Sequence, residues 1–406
     1  MYPSSAYTLQ NLQGIDYLLP IGQGVATFHR QLKLNASSAK LYREIEAICK
    51  EDRNISRDAL VEKLLLSLQQ ENDFTGNDTA EIQGDLLSFI QMLQTFGVLI
   101  DTETKEDTHL THQALIGRVL LKFYDGDGYL SSEFNDFFLP KETTPVSMDD
   151  SSIQILFHPY PDTSLMKRIL LVHTSELLVY QTDLGYLIEY PSSDGIYSIH
   201  LSNAGTKADF YVRENADEKL RYDIFHAVRL VLSYLLQKQD AFLLHSASIL
   251  YAGQAWLFSG PSGTGKSTHT ALWNKLFQTP LINGDLNLIT IEKDGQQDCP
   301  MTYGIPWCGT SGIYSTEKYP LGGIIILHQS VDNHVLVKKD DEKQLSVLQR
   351  LISPFWTIEQ MEQNLAFTDA LLPQIPIWHL YCNMEEEAAI CMKQEIDSYL
   401  SKHKES

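Results

Sequence analysis

The chain has 406 residues, with 31 basic against 52 acidic side chains, a formal charge of −21 at pH 7 and 43% hydrophobic residues. At roughly 100–200 residues per domain, this describes two or three folded domains and excludes a chain that is disordered throughout. The acidic surplus opposes a broad nucleic-acid footprint or an anionic membrane surface, since both need clustered Lys and Arg to displace counterions.

No apolar run approaches the ~18 residues of a transmembrane helix, and Met1–Gln13 is too polar for the apolar region of a signal peptide. A cytoplasmic location is expected. Cys49, Cys299, Cys308, Cys382 and Cys391 are odd in number, scattered and without a C-x-x-C pair, so neither a disulfide framework nor a zinc site is predicted.

Along the chain, residues 15–34 read as two short strands around Gly22-Gln23-Gly24. Three helical patterns follow, on Leu41, Ile45 and Ile48, on Leu60, Leu64 and Leu68, and on Ile82, Leu86, Phe89, Ile90 and Leu93. Asp78 with Glu81 predicts a capping box for the third helix, Gly97 its left-handed end, and Val98–Ile100 a short closing strand. Together these place a first domain over 1–110. Residues 111–150 read as a polar, Pro-punctuated connector with one short helix at Gln113–Phe123. Strand-like runs over 151–215 predict a small antiparallel sheet. From 216 to 406 an apolar helix near 218–237 feeds alternating strands and helices, an α/β pattern without internal repeat. The fold class expected is therefore α/β and multi-domain.

The sharpest signal is Gly260-Pro261-Ser262-Gly263-Thr264-Gly265-Lys266-Ser267, a full match to G-x-x-x-x-G-K-[ST], followed by Thr268 and flanked by an apolar strand and a helix. Its glycines let successive N–H groups turn toward phosphates, and the helix N-terminus adds partial positive charge. Lys266 is the expected holder of the β/γ-phosphates and Ser267 of Mg²⁺, which makes ATP and Mg²⁺ the expected cofactors. Asp285, in Leu281-Ile-Asn-Gly-Asp285, ends a strand soon after the loop and reads as a parallel neighbour's edge residue. It is a candidate Mg²⁺ ligand or general base, the alternative being a turn aspartate after Asn-Gly. His245 interrupts the apolar strand Phe242–Leu250. Such a histidine is commonly a satisfied core residue, but beside the loop strand its imidazole would orient Asp285 or tune its acidity. The glycine-punctuated segment 303–312 either borders an acceptor site or is only a connection, and Cys308 reads as a buried thiol. Asp125-Gly126-Asp127-Gly128 is not a calcium loop, because aligning Gly128 with the required glycine puts Phe123 and Phe134 at ligand positions.

Residues from about 218 to 400 resemble the catalytic domain of HPr kinase/phosphorylase, whose nucleotide fold is related to phosphoenolpyruvate carboxykinase. The resemblance rests on the strand Leu-Leu-His245-Ser-Ala-Ser, the loop 260–268 and the acidic strand end so soon after it. It implies phosphoryl transfer to a protein or peptide hydroxyl, with His245 assisting the acid and Asp285 serving metal or base. HPr kinases carry two adjacent aspartates there, whereas Gly284 precedes Asp285 here. Residues 1–110 look like the PqqD-like, winged-helix-like recognition element of enzymes that mature ribosomally synthesised peptides. That resemblance implies a leader peptide added as a strand, with Val25–Leu34 and exposed parts of 80–96 as the surface. DNA binding is disfavoured because the third helix carries Glu81 and Asp85 and no Lys or Arg.

The expectation is thus a peptide kinase with a leader-capture domain fused to an HPr kinase-type P-loop domain. Its partner would be a precursor peptide, basic in view of the −21 charge, with no nucleic acid or membrane and with self-association left open. The competing expectations are a nucleotide-dependent adaptor without phosphotransfer, and a kinase of an HPr-like protein or small metabolite.

Overall fold

The computed structural model describes residues 1–3, 7–21, 31–52, 55–71, 79–96, 98–100, 108–140, 151–159, 167–295 and 297–403. The chain is mixed α/β with several sheets. It divides into two units, one comprising Met1–Thr108 with the short pieces Pro161–Ile169 and Gln181–Asp183, the other comprising the remainder.

In the first unit, β1 (Tyr2–Pro3) pairs with β5 (Leu99–Ile100), while β2 (Tyr7–Leu12), β3 (Ile15–Pro20) and β4 (Leu32–Leu34) form an antiparallel sheet in that order. The hairpin therefore turns at Gln13 and Gly14, both at positive φ. The expected turn at Gly22–Gly24 lies outside the described residues, as do Asp78 and Gly97. Three helices follow: α1 (Ala36–Glu51), α2 (Arg57–Glu71) and α3 (Thr79–Thr95). The Asn35 side chain caps α1 by accepting the Ser38 N–H at 2.7 Å. Tyr42, Ile45, Leu60, Leu64, Leu86, Ile90 and Leu93, spaced at helical intervals, are buried in one core.

The helix expected at Gln113–Phe123 is instead a hairpin, β6 (Leu110–Ile116) and β7 (Val119–Tyr124), turning at Gly117 with φ +61°. Ala114, Ile116, Val119, Leu121 and Phe123 are all buried, which is strand alternation on either side of a turn. The run was misread because an apolar stretch this short satisfies both periods. The hairpin joins β8 (Ser152–His158), β9 (Arg168–His173), β10 (Leu178–Thr182), β11 (Gly185–Glu189), β12 (Ile196–Ser202) and β13 (Lys207–Val212). The sheet expected to be small and antiparallel over 151–215 thus has eight strands among the described residues and is mixed, because β8 runs parallel to both β7 and β13.

Helix α4 (Glu218–Lys238), capped by Asp217, buries Leu220, Ile224, Val228 and Val231 in a core shared with this sheet and with Leu286, Leu288, Ile305 and Trp307. The second large sheet contains β14 (Ala241–Tyr251), β15 (Gln254–Ser259), β16 (Leu281–Asn283), β17 (Leu286–Asp294), β18 (Gln297–Tyr303), β19 (Lys318–Gln329), β20 (His334–Leu336), β21 (Leu351–Ile352) and β22 (Ile377–Cys382). Helices α5 (Lys266–Phe277), α6 (Asp340–Leu348), α7 (Ile358–Leu371) and α8 (Glu386–His403) complete the unit. The helix expected over 341–352 stops at Leu348, and Leu351–Ile352 pairs with β14. One face of the sheet packs Leu257, Ile324 and Ile326 with Phe367 and Leu371 of α7; the other packs Phe258, Ile325 and Leu327 with Trp273 of α5 and Met392 of α8. Among the described residues no helix is long and apolar enough to cross a membrane.

Burial within this unit has a consequence for pH. Burial above all holds His226, His269 and His379 down at about 4 from 6.5, and His269 accepts a hydrogen bond from Trp273 Nε1 at 3.3 Å. Being neutral when folded and protonated when unfolded, they add stability above pH 6.5 that is lost as pH falls toward 4. The urea midpoint is expected to drop steadily from pH 7 to 4.5; an unchanged midpoint contradicts this.

Candidate active site

The loop between β15 and α5 is built for an anion. Gly260, Gly263 and Gly265 sit at φ +154°, +79° and +93°, and Gly265 caps α5 from the left-handed region, where a side chain is strained. Among the described residues the N–H groups of Gly263, Gly265, Lys266 and Ser267 have no protein acceptor. Unpaired donors at a helix N-terminus form a phosphate cradle. Gln329 at the end of β19 braces the loop, its Nε2 donating to Gly263 O at 3.0 Å, and Thr264 Oγ1 donates to Pro261 O at 2.8 Å. Ser262 in the loop is exposed, and Thr268 in the first turn of α5 is partly so. Lys266 folds back over the cradle, its Nζ donating to Gly260 O at 3.2 Å and Pro261 O at 3.4 Å. Burial pulls its pKa below the ordinary lysine value; the charge of Asp285 opposes this and that of Arg350 reinforces it.

Asp285 reaches this end of the sheet by a different route from the one expected. Its strand, β16, is not a parallel neighbour of β15: both pair antiparallel to β14, which lies between them. The two strands therefore point the same way across β14. The chain breaks at Gly284 and Asp285 before β17 resumes pairing at Leu286 opposite His245. This places His245 between loop and acid, with Nε2 3.3 Å from Asp285 Oδ1. The hydrogen bond from His245 holds the Asp285 carboxyl below its ordinary range; burial opposes it, and the charges of His245, Arg229 and Lys266 add to it.

Beneath the pair lies a buried polar lattice. Asn283 Oδ1 accepts the N–H groups of Asp285 (2.9 Å) and Leu286 (3.0 Å), and its Nδ2 donates to Ile305 O. Asn287 Nδ2 donates to Ser246 O at 2.7 Å, Ser248 Oγ donates to Asn287 Oδ1 at 2.7 Å, and the Ser246 N–H donates to Asp285 O at 2.9 Å. These residues fix the carboxylate's backbone. A sequence reading of Asn-Gly as a turn catches the bend but not the lattice.

The segment 303–312 borders the acid directly. Trp307 Nε1 donates to Phe225 O, Tyr314 Oη donates to Asp136, and Gly309 is so close that a Cβ there would come within 2.9 Å of Asp285 Cβ. A Cβ on Gly284 would sit 2.0 Å from Ser311 Oγ and 3.1 Å from Cys308 O. A second aspartate therefore has no room beside Asp285 unless this loop moves. Gly284→Asp is expected to cost about 1–3 kcal/mol of stability and to impair the site, measured by urea denaturation. Cys308 is buried, with its thiol acidity weakened by burial, so it has no nucleophile's environment. Asp125 instead shapes the hairpin end, its Oδ1 accepting the His109 N–H at 3.2 Å.

Sequence reasoning missed the cations. Arg229 on α4 is half-buried, its charge acts on Asp285, Tyr190 and Tyr222, and it has no hydrogen bond or ion pair among the described residues. The one signal was its place as a lone cation in the apolar run His226–Leu236. Arg350 gives its carbonyl to the His245 N–H at 2.9 Å. Lys266 and Arg350 thus lie on the loop side of Asp285, and Arg229 approaches from α4.

The donor set fits a magnesium nucleotide: unpaired amides and Lys266 for phosphate, and the exposed, unbonded Ser267 hydroxyl with the partly exposed Asp285 carboxylate as two hard oxygen donors. Mg²⁺ takes few protein ligands and completes its shell with water and phosphate oxygens.

The chain matches no protein-family model and no curated protein sequence. Among solved structures it is similar to the HPr(Ser) kinase/phosphatase from Coxiella burnetii, at 10% identity and a TM-score of 0.22, over 40% of this chain and 96% of that one. A likeness at that level carries no weight, and the functional reading stands on the site's own geometry.

Proposed function

We propose that this chain is an ATP- and Mg²⁺-dependent peptide kinase, acting in the cytoplasm on a hydroxyl of a ribosomally synthesised precursor whose leader is held by the Met1–Thr108 unit. The observation that carries the reading is the unpaired phosphate cradle with Lys266, set at the same sheet end as the His245–Asp285 pair.

Bound Mg²⁺ would supply charge neutralisation for the nucleotide's phosphates. Lys266 holds the β/γ-phosphates, and Asp285, oriented by His245, positions the attacking hydroxyl. As the hydroxyl oxygen bonds to the γ-phosphorus, the bond from that phosphorus to the β–γ bridging oxygen breaks, ADP keeps that electron pair, and the hydroxyl proton leaves late, through Asp285 to water. A carboxylate as acidic as Asp285 is a weak proton acceptor, which suits metal ligation and orientation; phosphoryl transfer with a loose transition state makes little early demand for a base.

For the first unit, the reading is a PqqD-like leader site. Among the described residues β4 pairs only with β3, which leaves its other edge for an added strand, and α3 shares a core with Leu34 of β4 and would supply side-chain contacts. Residues 25–30 of the expected surface lie outside the described residues. A basic leader suits the −21 charge, and its binding should weaken with salt.

The test uses the full chain with ATP and Mg²⁺ and a candidate precursor, supplied either whole or as core without leader, followed by mass spectrometry. A phosphopeptide formed faster from the whole precursor is expected. Equal rates without the leader would point to a kinase of another protein or metabolite. The single carboxylate beside Gly284 favours one second reading, an adaptor: leader affinity that responds to ATP with no phosphopeptide formed would establish it.

A further inference from the structure

On the α4 side of Asp285 lies a cluster of polar groups that the phosphate loop does not use. Tyr222, His226 and Arg229 follow one another at i, i+4 and i+7 and so share one face of α4. Among the described residues Arg229 makes no hydrogen bond or ion pair, and the buried Tyr190 Oη and His226 Nδ1 have no hydrogen-bond partner. Tyr190 is within the reach of Arg229's charge, and His226 within that of Arg229, Asp223, Asp285 and Glu133. A half-buried guanidinium without an acceptor is costly, and its fork geometry matches carboxylate or phosphate oxygens.

The stripe also leads away from the acid. About 10 Å along the axis from Arg229, Tyr222 lines a cavity of about 510 Å³ together with Ser132, Glu133, Asn135 and Arg221. That volume holds a side chain and its neighbours. Asp285 feels the charges of both Arg229, on α4, and Lys266, rooted in the loop.

Resting on the phosphotransfer reading above, we infer that Arg229, Tyr190 and His226 form an acceptor subsite that binds an oxyanion, a carboxylate or a phosphate, carried by the acceptor next to its attacking hydroxyl. The cavity beside Tyr222 takes the residues that follow. Tyr190 donates its O–H and Arg229 its N–H groups to the oxyanion, while Asp285 faces the hydroxyl.

The experiment fills the nucleotide side of the full-length protein with Mg²⁺ and a non-hydrolysable ATP analogue, then titrates O-phosphoserine and, separately, N-acetyl-aspartate by calorimetry. At least one is expected to bind, which of the two telling phosphate from carboxylate recognition, and Arg229→Gln to weaken it at least 10-fold with analogue affinity unchanged. Tyr190→Phe should weaken it less, and Arg229→Lys should recover part of the loss. Binding of neither probe overturns the inference. So does binding that the analogue displaces, because Arg229 would then serve the nucleotide's own γ-phosphoryl group. A protein that binds phosphoserine but never the analogue would instead overturn the nucleotide reading and leave the oxyanion site standing. Thermal melting of each variant separates misfolding from lost contact.

Discussion

Lys266→Ala is expected to lower γ-phosphate transfer by about three orders of magnitude or more, because the ammonium is the one side-chain cation rooted in the loop and stabilises charge where it develops. Its present contacts are two long hydrogen bonds to the loop's own carbonyls, at 3.2 and 3.4 Å. Removing them opens no cavity in the core, so the melting temperature should move by no more than about 3 °C. Radiolabelled ATP and a thermal melt check both statements. Transfer within tenfold of the parent protein would refute the role. Leader affinity should not change, since the substitution lies in the other unit.

The second large effect is at Asp285. Asn keeps the shape and removes the charge, and Asp285→Asn is expected to cost roughly 10²–10⁴-fold in transfer by loss of a metal ligand and hydroxyl-orienting group. The sign of the pH dependence follows from the His245 hydrogen bond, which keeps the carboxyl ionised to below 3.8. Protonation of Asp285 therefore cannot account for activity lost between pH 7 and 4.5. Any loss in that range should track the unfolding driven by His226, His269 and His379. Activity and folded fraction measured together across that range decide it: an acid limb near pH 6 in a fully folded protein would mean that the carboxyl is not held as described.

Several features were legible because they are local. The phosphate loop is a run of adjacent residues whose glycines and helix start need no distant partner, and α4, α5 and the strands at 241–251 and 254–259 fall where apolar periodicity put them. Gln113–Phe123 was not legible as a hairpin, since a run that short fits either period and only its pairing with β8 decides between them. The topology around Asp285 failed for a related reason. Parallel orientation of two strands can arise from direct pairing or through a third antiparallel strand, and the sequence carries no sign of which. His245 and Asp285 were paired on sequence, but the Asn283–Asn287–Ser248 lattice that fixes them depends on three strands meeting. Gly284 read as a departure from a two-aspartate pattern; only the approach of Ser311 supplies a steric reason for it.

The sequence by itself determined which groups are on offer: a glycine-rich loop of the phosphate-binding pattern with Lys266 and Ser267, an acid and a histidine close to it in the chain, and a net charge of −21. The tertiary structure decided how these groups face one another. It put β14 between loop and acid, and brought Arg229 in from a helix that precedes both, with no hydrogen bond or ion pair among the described residues. Local conformational preference acts over a few residues, whereas the position of a charge relative to another 50 residues away is fixed by packing, which no short segment encodes.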